Sequence, residues 1–274
     1  MYSNSRILIT GGTGTLGQEL ARQLTDYNCK EIIIFSRSEV AQVEMKRKLP
    51  MLTYVIGDIR DESSIKKACK KVDIVFHFAA LKHVGLCEKQ PMEAVKTNIL
   101  GTANVINSCR GRLVFMSTDK AVNPISVYGN TKSIGEGLVL QERGIVIRSG
   151  NIFGSSGSVI PLFISQVKNG KPITLTDGEM TRFFITADNL IKFILTTTES
   201  KSSGIYFPLT MRAFKMRDVA EAVIELYGDA SYIEFSGIIE GGAKEGERMH
   251  ESVDGITYSN EFLGTRDEFK KMFK

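Results

Sequence analysis

Close cysteine pairs are missing from this chain, which removes zinc ribbons and dithiol redox chemistry from consideration. Cys29, Cys69, Cys87 and Cys109 are scattered and are expected to be reduced, largely buried packing residues of a cytoplasmic protein. No apolar run approaches the ~20 residues of a membrane span, and Met1 to Arg6 is too short and polar for a secretory signal. A soluble protein without membrane association is therefore expected. Neither sign of charge dominates: 35 basic against 31 acidic residues leave a formal charge of +4. That balance argues against a nucleic-acid surface and leaves anionic small molecules open. Repeats and low-complexity tracts are also absent. His83 has no His or Cys partner at ligand spacing, so it is read as a packing or hydrogen-bonding histidine and no metal is expected.

What is present is an alternation of short apolar runs with helical periodicity. Residues 6–10 (RILIT) read as a strand running into Gly11-Gly12-Thr13-Gly14-Thr15-Leu16-Gly17, and Leu16, Leu20 and Leu24 behind them recur every four residues as a helix stripe. Gly11, Gly14 and Gly17 thus sit in a strand-to-helix turn where backbone N–H groups can approach a pyrophosphate, with Thr13, Thr15 and Leu16 in the same turn as cofactor candidates. Residues 31–35 form a second strand, after which Ser36 and Arg37 stand where an acidic residue would bind the ribose of NAD. A hydroxyl and a guanidinium suit a 2′-phosphate, so NADP is the expected cofactor. A third strand (53–57) ends before Asp58 and Ile59, and Asp58 competes as the cap of a helix starting near Glu62. A fourth (73–79) is followed by Ala79, Ala80 and Lys82; small residues there let backbone lie close to a cofactor, and Lys82 can meet a phosphate or a substrate hydroxyl. Pro91 opens a long helix whose buried stripe is expected to be Val95, Ile99, Ala103 and Ile106, leaving Asn98 off it.

The fifth strand, Arg112 to Ser117, delivers Thr118, Asp119 and Lys120 at its carboxyl end, where open α/β sheets place their chemistry. Tyr128 and Lys132 follow four apart at the start of a helix, so their side chains share a face. An ammonium there, beside a cationic nicotinamide, is expected to lower the Tyr128 pKa from its ordinary ~10 and make it a base. Asp119 and Lys120 add an acid and a second base, more than alcohol oxidation requires. With a sixth strand over 144–148, the pattern is α/β: a Rossmann-type doubly wound parallel sheet over residues 1–151. Residues 152–274 read as a smaller C-terminal α/β substrate lobe, with 187–210 returning to the first domain. There Arg182 is placed to hold a diphosphate, and 244–251 packs charge around one glycine, which suits a nucleotide-activated sugar.

Three blocks then carry a specific resemblance: AALKHVGLCEKQPMEAVKTNILGTANVI at 79–106, STDKAVNPISVYGNTKSIGEG at 117–137, and MTRFFIT with GERMHE at 180–186 and 246–251. The chain resembles the soluble inverting UDP-N-acetylglucosamine 4,6-dehydratases of the extended short-chain dehydrogenase/reductase family. The resemblance implies that Thr118 hydrogen-bonds the sugar, Tyr128 deprotonates the C4 hydroxyl as hydride passes to NADP, Lys120 takes the C5 proton, and Asp119 protonates the departing C6 hydroxyl. Hydride return to C6 and protonation of the opposite face of C5 then give UDP-2-acetamido-2,6-dideoxy-β-L-arabino-hexos-4-ulose, leaving a tightly bound NADP regenerated. It also implies Asp58 and Ile59 near the adenine, Asn98 supporting the catalytic helix, Ser117, Tyr128 and Lys132 at the cofactor, and Asn151, Lys244 and Glu247 at the substrate. Relatives assemble as dimers or larger rings, so a homo-oligomer is expected. Ser149 and Lys244 depart from the Tyr and Arg common in relatives. The rivals are a UDP-sugar 4-epimerase, a retaining 4,6-dehydratase, and, from another class, a catalytically inactive NADP-binding sensor.

Overall fold

The computed structural model describes residues 1–228, 237–242 and 246–273. In chain order the first 148 residues run β1 (Arg6–Thr10), α1 (Thr15–Leu24), β2 (Glu31–Ser36), α2 (Glu39–Lys48), β3 (Thr53–Ile56), α3 (Glu62–Ala68), β4 (Ile74–His77), α4 (Val84–Lys89), α5 (Pro91–Ala94), a π-helical stretch (Val95–Leu100), α6 (Gly101–Ser108), β5 (Arg112–Met116), α7 (Val127–Gln141) and β6 (Ile145–Ile147). Next come β7 (Asn151–Ile152), α8 (Val159–Lys168), β8 (Ile173–Leu175), β9 (Thr181–Ile185), α9 (Ala187–Ser200) and β10 (Gly204–Tyr206). The chain ends with β11 (Arg212–Lys215), α10 (Met216–Tyr227), β12 (Ile238–Glu240) and α11 (Arg266–Lys271). These elements form two compact units, Met1–Arg148 with Ala187–Phe207, and Ser149–Thr186 with Pro208–Lys274.

The first unit is a seven-stranded sheet in the order β10-β6-β5-β4-β1-β2-β3, parallel throughout. Parallel strands covered on both faces need unbroken apolar runs, and Ile7-Leu8-Ile9, Ile32-Ile33-Ile34-Phe35 and Ile145-Val146-Ile147 are all buried. Burying each such side chain contributes roughly 1.5–3 kcal/mol. Register sets Ile7 opposite Ile32 on one side and Ile74 on the other. Strand order therefore reverses between β1 and β4, and the crevice at their carboxyl ends is where such sheets bind ligands. The α1 stripe Leu16, Leu20 and Leu24 is buried. Helix α9 packs beside α1, where Gln23 Nε2 donates to Asp188 Oδ1 at 3.2 Å, and the Tyr2 hydroxyl donates to Leu195 O at 2.7 Å.

Two sequence expectations are corrected in this unit. On the segment opened by Pro91, the buried residues are Ala94, Thr97, Asn98, Gly101, Thr102 and Val105, while Val95, Ile99, Ala103 and Ile106 are only half-buried. The π-helical stretch adds a residue to a turn, so the inward face is rotated away from the one that 3.6-residue periodicity selects. The cysteines are not all free thiols either. Cys69 and Cys109, the residues that end α3 and α6, are joined by a disulfide with Cα atoms 5.1 Å apart, because those two helices lie side by side. Cys29 and Cys87 are free.

The second unit holds a three-stranded sheet, β11-β9-β7, and a two-stranded one, β12-β8. Its core gathers Phe163, Leu175, Phe184, Phe214, Val219 and Phe269, with the Phe214 and Phe269 rings edge-on at 5.0 Å. Among the described residues, no helix is long and apolar enough to cross a membrane.

Candidate active site

At the β1–α1 turn, Gly11 has φ +68°, and a Cβ there would lie 2.7 Å from the Ala79 nitrogen after β4. A Cβ on Gly17 would lie 2.6 Å from Gly12 Cα. Only glycine satisfies either position, since the first needs a left-handed backbone and both need contact without a side chain. Helix α1 then starts at Gly14, which offers no capping side chain, so the helix N-terminus presents bare backbone to the crevice. These are the features a dinucleotide pyrophosphate requires, and the glycine turn fits one.

Beyond β2, Ser36 is buried, and the Gln42 amide nitrogen lies within hydrogen-bond distance of its Oγ (3.0 Å), its carbonyl (3.1 Å) and Val55 O (2.8 Å). Arg37 remains 56% exposed, its Nη1 3.9 Å from Asp58 Oδ2. Asp58 does not cap α3, as the sequence allowed. Asp61 does, accepting from Ser63 N at 2.9 Å and Ser64 N at 3.3 Å. Asp58 instead accepts from Arg60 Nε at 2.8 Å and Nη2 at 2.6 Å, and this hydrogen-bonded cation outweighs desolvation to hold its carboxyl below the usual range. Ile59 is buried between Gly101 and Asn104, whose Nδ2 donates to its carbonyl at 2.9 Å.

The chemistry-bearing side chains gather beyond β5. Asp119 is 0% exposed; Thr118 Oγ1 and Lys120 Nζ each donate to its Oδ1 at 3.0 Å. Ser126 caps α7 by accepting from Gly129 N at 3.0 Å, and from this helix Tyr128 meets Thr118 in the turn after β5. The Lys132 ammonium donates to Met116 O at 2.6 Å and lies 3.8 Å from the Phe115 ring centre. Burial brings its pKa down to about 7, while Glu136 pulls it back up. For Tyr128, burial wins and pushes the phenol up to about 12, against the downward pull of Lys120 and a hydrogen bond with Thr118. Lys120, which the sequence offered as a second base, is thus also a cation that acts on the phenol. Lys82, between β4 and α4, has its ammonium held below the ordinary value by partial burial.

A buried polar chain connects the glycine turn to this cluster. Thr10 Oγ1 lies 2.7 Å from His77 Nδ1, His77 Nε2 lies 3.0 Å from Thr102 Oγ1, and Thr102 donates to Asn98 O at 2.7 Å. Because the Thr102 proton goes to Asn98, His77 carries its own proton on Nε2 and accepts from Thr10. Asn98, 1% exposed, donates to Leu81 O and Thr131 Oγ1 at 3.0 Å each and accepts from Leu81 N at 2.8 Å. Its side chain therefore bridges the post-β4 segment to α7. Burial depresses the His77 pKa to about 3. Below pH ~6.5 the unfolded chain takes up a proton there and the folded protein does not, so stability falls with falling pH by up to about 1.4 kcal/mol per unit from this group until about pH 3. Denaturant unfolding at pH 7.5, 6 and 5 is expected to show a flatter dependence for His77→Gln than for the parent.

In the second unit, Asn151 lies on β7 opposite Phe184 and is half-buried, as is Glu247. Arg182 is buried, with Nη1 donating to Thr181 O at 2.9 Å and Met249 O at 3.2 Å, so part of its guanidinium ties β9 to the 246–251 segment. Lys244 lies outside the described residues.

A family model described as polysaccharide biosynthesis protein matches residues 7–268. The chain belongs to this family. Within the polysaccharide biosynthesis family, the inverting UDP-N-acetylglucosamine 4,6-dehydratase of Campylobacter jejuni is 38% identical over 268 residues, covering 92% of this chain and 78% of that protein. The UDP-glucose 4-epimerase of Rickettsia akari is 39% identical over 272 residues, with coverages of 92% and 78%. Among solved structures, Pen from Bacillus thuringiensis superposes with a TM-score of 0.90 at 30% identity, over 99% of this chain and 98% of that one. Both a dehydratase and an epimerase are thus named among relatives of similar identity, so family membership by itself does not select the reaction. The sequence reading missed His77, Gln42, Glu136 and Arg148 as site-building residues. Only Glu136 left a local trace, four residues after Lys132 on the same helix face.

Proposed function

We propose that this protein is an NADP-dependent nucleotide-sugar 4,6-dehydratase acting on UDP-N-acetylglucosamine with inversion at C5. The observation that carries the reading is the Thr118–Asp119–Lys120 cluster beside Tyr128: an epimerase needs the tyrosine and Lys132 but has no use for a buried carboxyl hydrogen-bonded to a second amine. Gly11, Gly14, Gly17 and the first turn of α1 would hold the pyrophosphate, Arg37 the 2′-phosphate, and Asp58 and Ile59 the adenine end. A bound nicotinamide supplies reversible acceptance of a hydride from C4 and its return at C6.

The chain's own residues handle the protons. Tyr128, once ionised, takes the proton of the C4 hydroxyl. The resulting 4-ketone acidifies the neighbouring C5–H bond, and Lys120 in its amine form removes that proton. Asp119 in its acid form gives a proton to the C6 hydroxyl, which departs as water. Transfer of one proton from Lys120 to Asp119 along their 3.0 Å hydrogen bond puts both in working form, and elimination restores the ion pair. A proton supplied from solvent to the opposite face of C5 completes inversion, and Tyr128 gives the proton taken from the C4 hydroxyl back to solvent, so that every group ends as it began. Asn151, Arg182 and Glu247 are proposed to hold the sugar nucleotide, with Thr118 and Lys82 reaching its hydroxyls. We take the protein to work as a soluble homo-oligomer in the cytoplasm.

Incubation with UDP-N-acetylglucosamine in deuterated water, without added cofactor, is expected to give a 6-deoxy-4-keto sugar with deuterium at an inverted C5, followed by NMR. Mass spectrometry of the cofactor released on denaturation should show NADP. Epimerised sugar with no loss of water would establish the epimerase reading, and an unchanged sugar under saturating NADP would leave only the sensor.

A further inference from the structure

Lys132 and Glu136 stand one helical turn apart on α7, and each is 3% exposed. A buried carboxylate needs its lone pairs taken, and here they are: Ser117 Oγ donates to Glu136 Oε1 at 2.5 Å, Arg148 Nε to the same oxygen at 2.9 Å, and Arg148 Nη2 to Oε2 at 2.7 Å. Ser117 directly follows Met116, whose carbonyl accepts from Lys132, and Arg148 directly follows β6. Two adjacent sheet ends therefore grip one helix face, the cation held from β5 and the carboxylate one turn further on held from the residues that follow β5 and β6.

We propose that Glu136, locked by Arg148 and Ser117, is a positioning residue that keeps Lys132 cationic beside Tyr128. The groups set against Lys132 are Met116 O and the Phe115 ring from β5, Glu136 from α7, and His77 from β4, which is held neutral by burial and by the lysine's charge. Of these, the Glu136 carboxylate is the one that raises the lysine against its burial. Arg148 contributes by holding that carboxylate still through two N–H bonds. The inference rests on the catalytic reading only for the claim that Lys132 works as a cation; the electrostatic claim is independent of any reaction.

The test is a pH titration of the Lys132 side chain by NMR in protein carrying 13C at lysine Cε, the signal assigned by its loss in Lys132→Arg. In Glu136→Gln the midpoint is expected about one pH unit or more below the parent, with Glu136→Asp between them. The alkaline limb of the turnover profile should move down by the same amount. Should Glu136→Gln not fold, Glu136→Asp, which keeps the carboxylate but shortens its reach, is read in the same way, with a smaller fall in the midpoint expected. An unmoved midpoint in a folded variant overturns the inference whatever the protein catalyses. A moved midpoint in a protein that dehydrates no sugar leaves the inference standing and removes the catalytic reading alone.

Discussion

Replacing Tyr128 with phenylalanine is expected to lower turnover of the nucleotide sugar by on the order of 10³-fold, the range for losing a positioned general base, with little change in stability or dinucleotide binding. Both halves of that expectation follow from the surroundings. In the proposed mechanism the phenol oxygen is the proton acceptor at C4, and no neighbouring group replaces it, since Lys132 is directed at Met116 O and Lys120 is hydrogen-bonded to Asp119. Its removal orphans nothing: Thr118 keeps Asp119, and the Tyr128 carbonyl keeps the hydrogen bond from Thr131 at 2.9 Å. Steady-state rates, a thermal melt and a cofactor titration check the three statements. Activity within tenfold of the parent would remove Tyr128 from the mechanism.

The second large effect separates the two halves of the elimination. Lys120→Met is expected to abolish deuterium uptake at C5 together with water loss, a drop on the order of 10²–10⁴. Asp119→Asn keeps the shape and the acceptor oxygen but removes the anion that favours the Lys120 ammonium, so the lysine sheds its proton to solvent; C5 exchange is expected to persist while dehydration falls by a similar factor. The two substitutions also move Tyr128 in opposite directions. Lys120 favours the phenolate and Asp119 opposes it, so losing the lysine sends the phenol further up and losing the carboxylate brings it down. NMR in deuterated water follows exchange and water loss in one sample. Equal loss of both in the two variants would mean that Asp119 and Lys120 act as one structural unit and do not divide the acid and base roles.

The alternation of buried strands and amphipathic helices was legible from residue order alone, as was the glycine turn. Strand burial follows from runs of consecutive apolar residues, and Gly11 is required by a backbone angle and a contact that any other residue would obstruct. The sharing of one helix face by Tyr128 and Lys132 is likewise local, because four residues make about one turn. Legibility ended where a local rule had two outcomes. Asp58 and Asp61 are both plausible caps, and the difference is that Asp58 is held by Arg60. Asn98 looked peripheral because the periodicity assumed 3.6 residues per turn, whereas the π-helical stretch turns it inward to Leu81 and Thr131.

By itself, then, the order of residues determined the class of sheet, the placing of the candidate residues at its carboxyl ends, and the identity of the groups available there for acid–base work. Periodicity and backbone sterics act over a few residues, and those features depend on nothing further. Tertiary structure decided which groups carry charge and how strongly. Lys132 is stripped of water by β5 and supported by a carboxylate that Arg148 anchors from β6; Tyr128 answers to Lys120; Cys69 meets Cys109 across two helices. Desolvation and Coulomb terms are set by neighbours in space, and folding brings some of those neighbours from far along the chain, as with Arg148, 12 residues from the Glu136 it holds, and Thr10, 67 residues from His77.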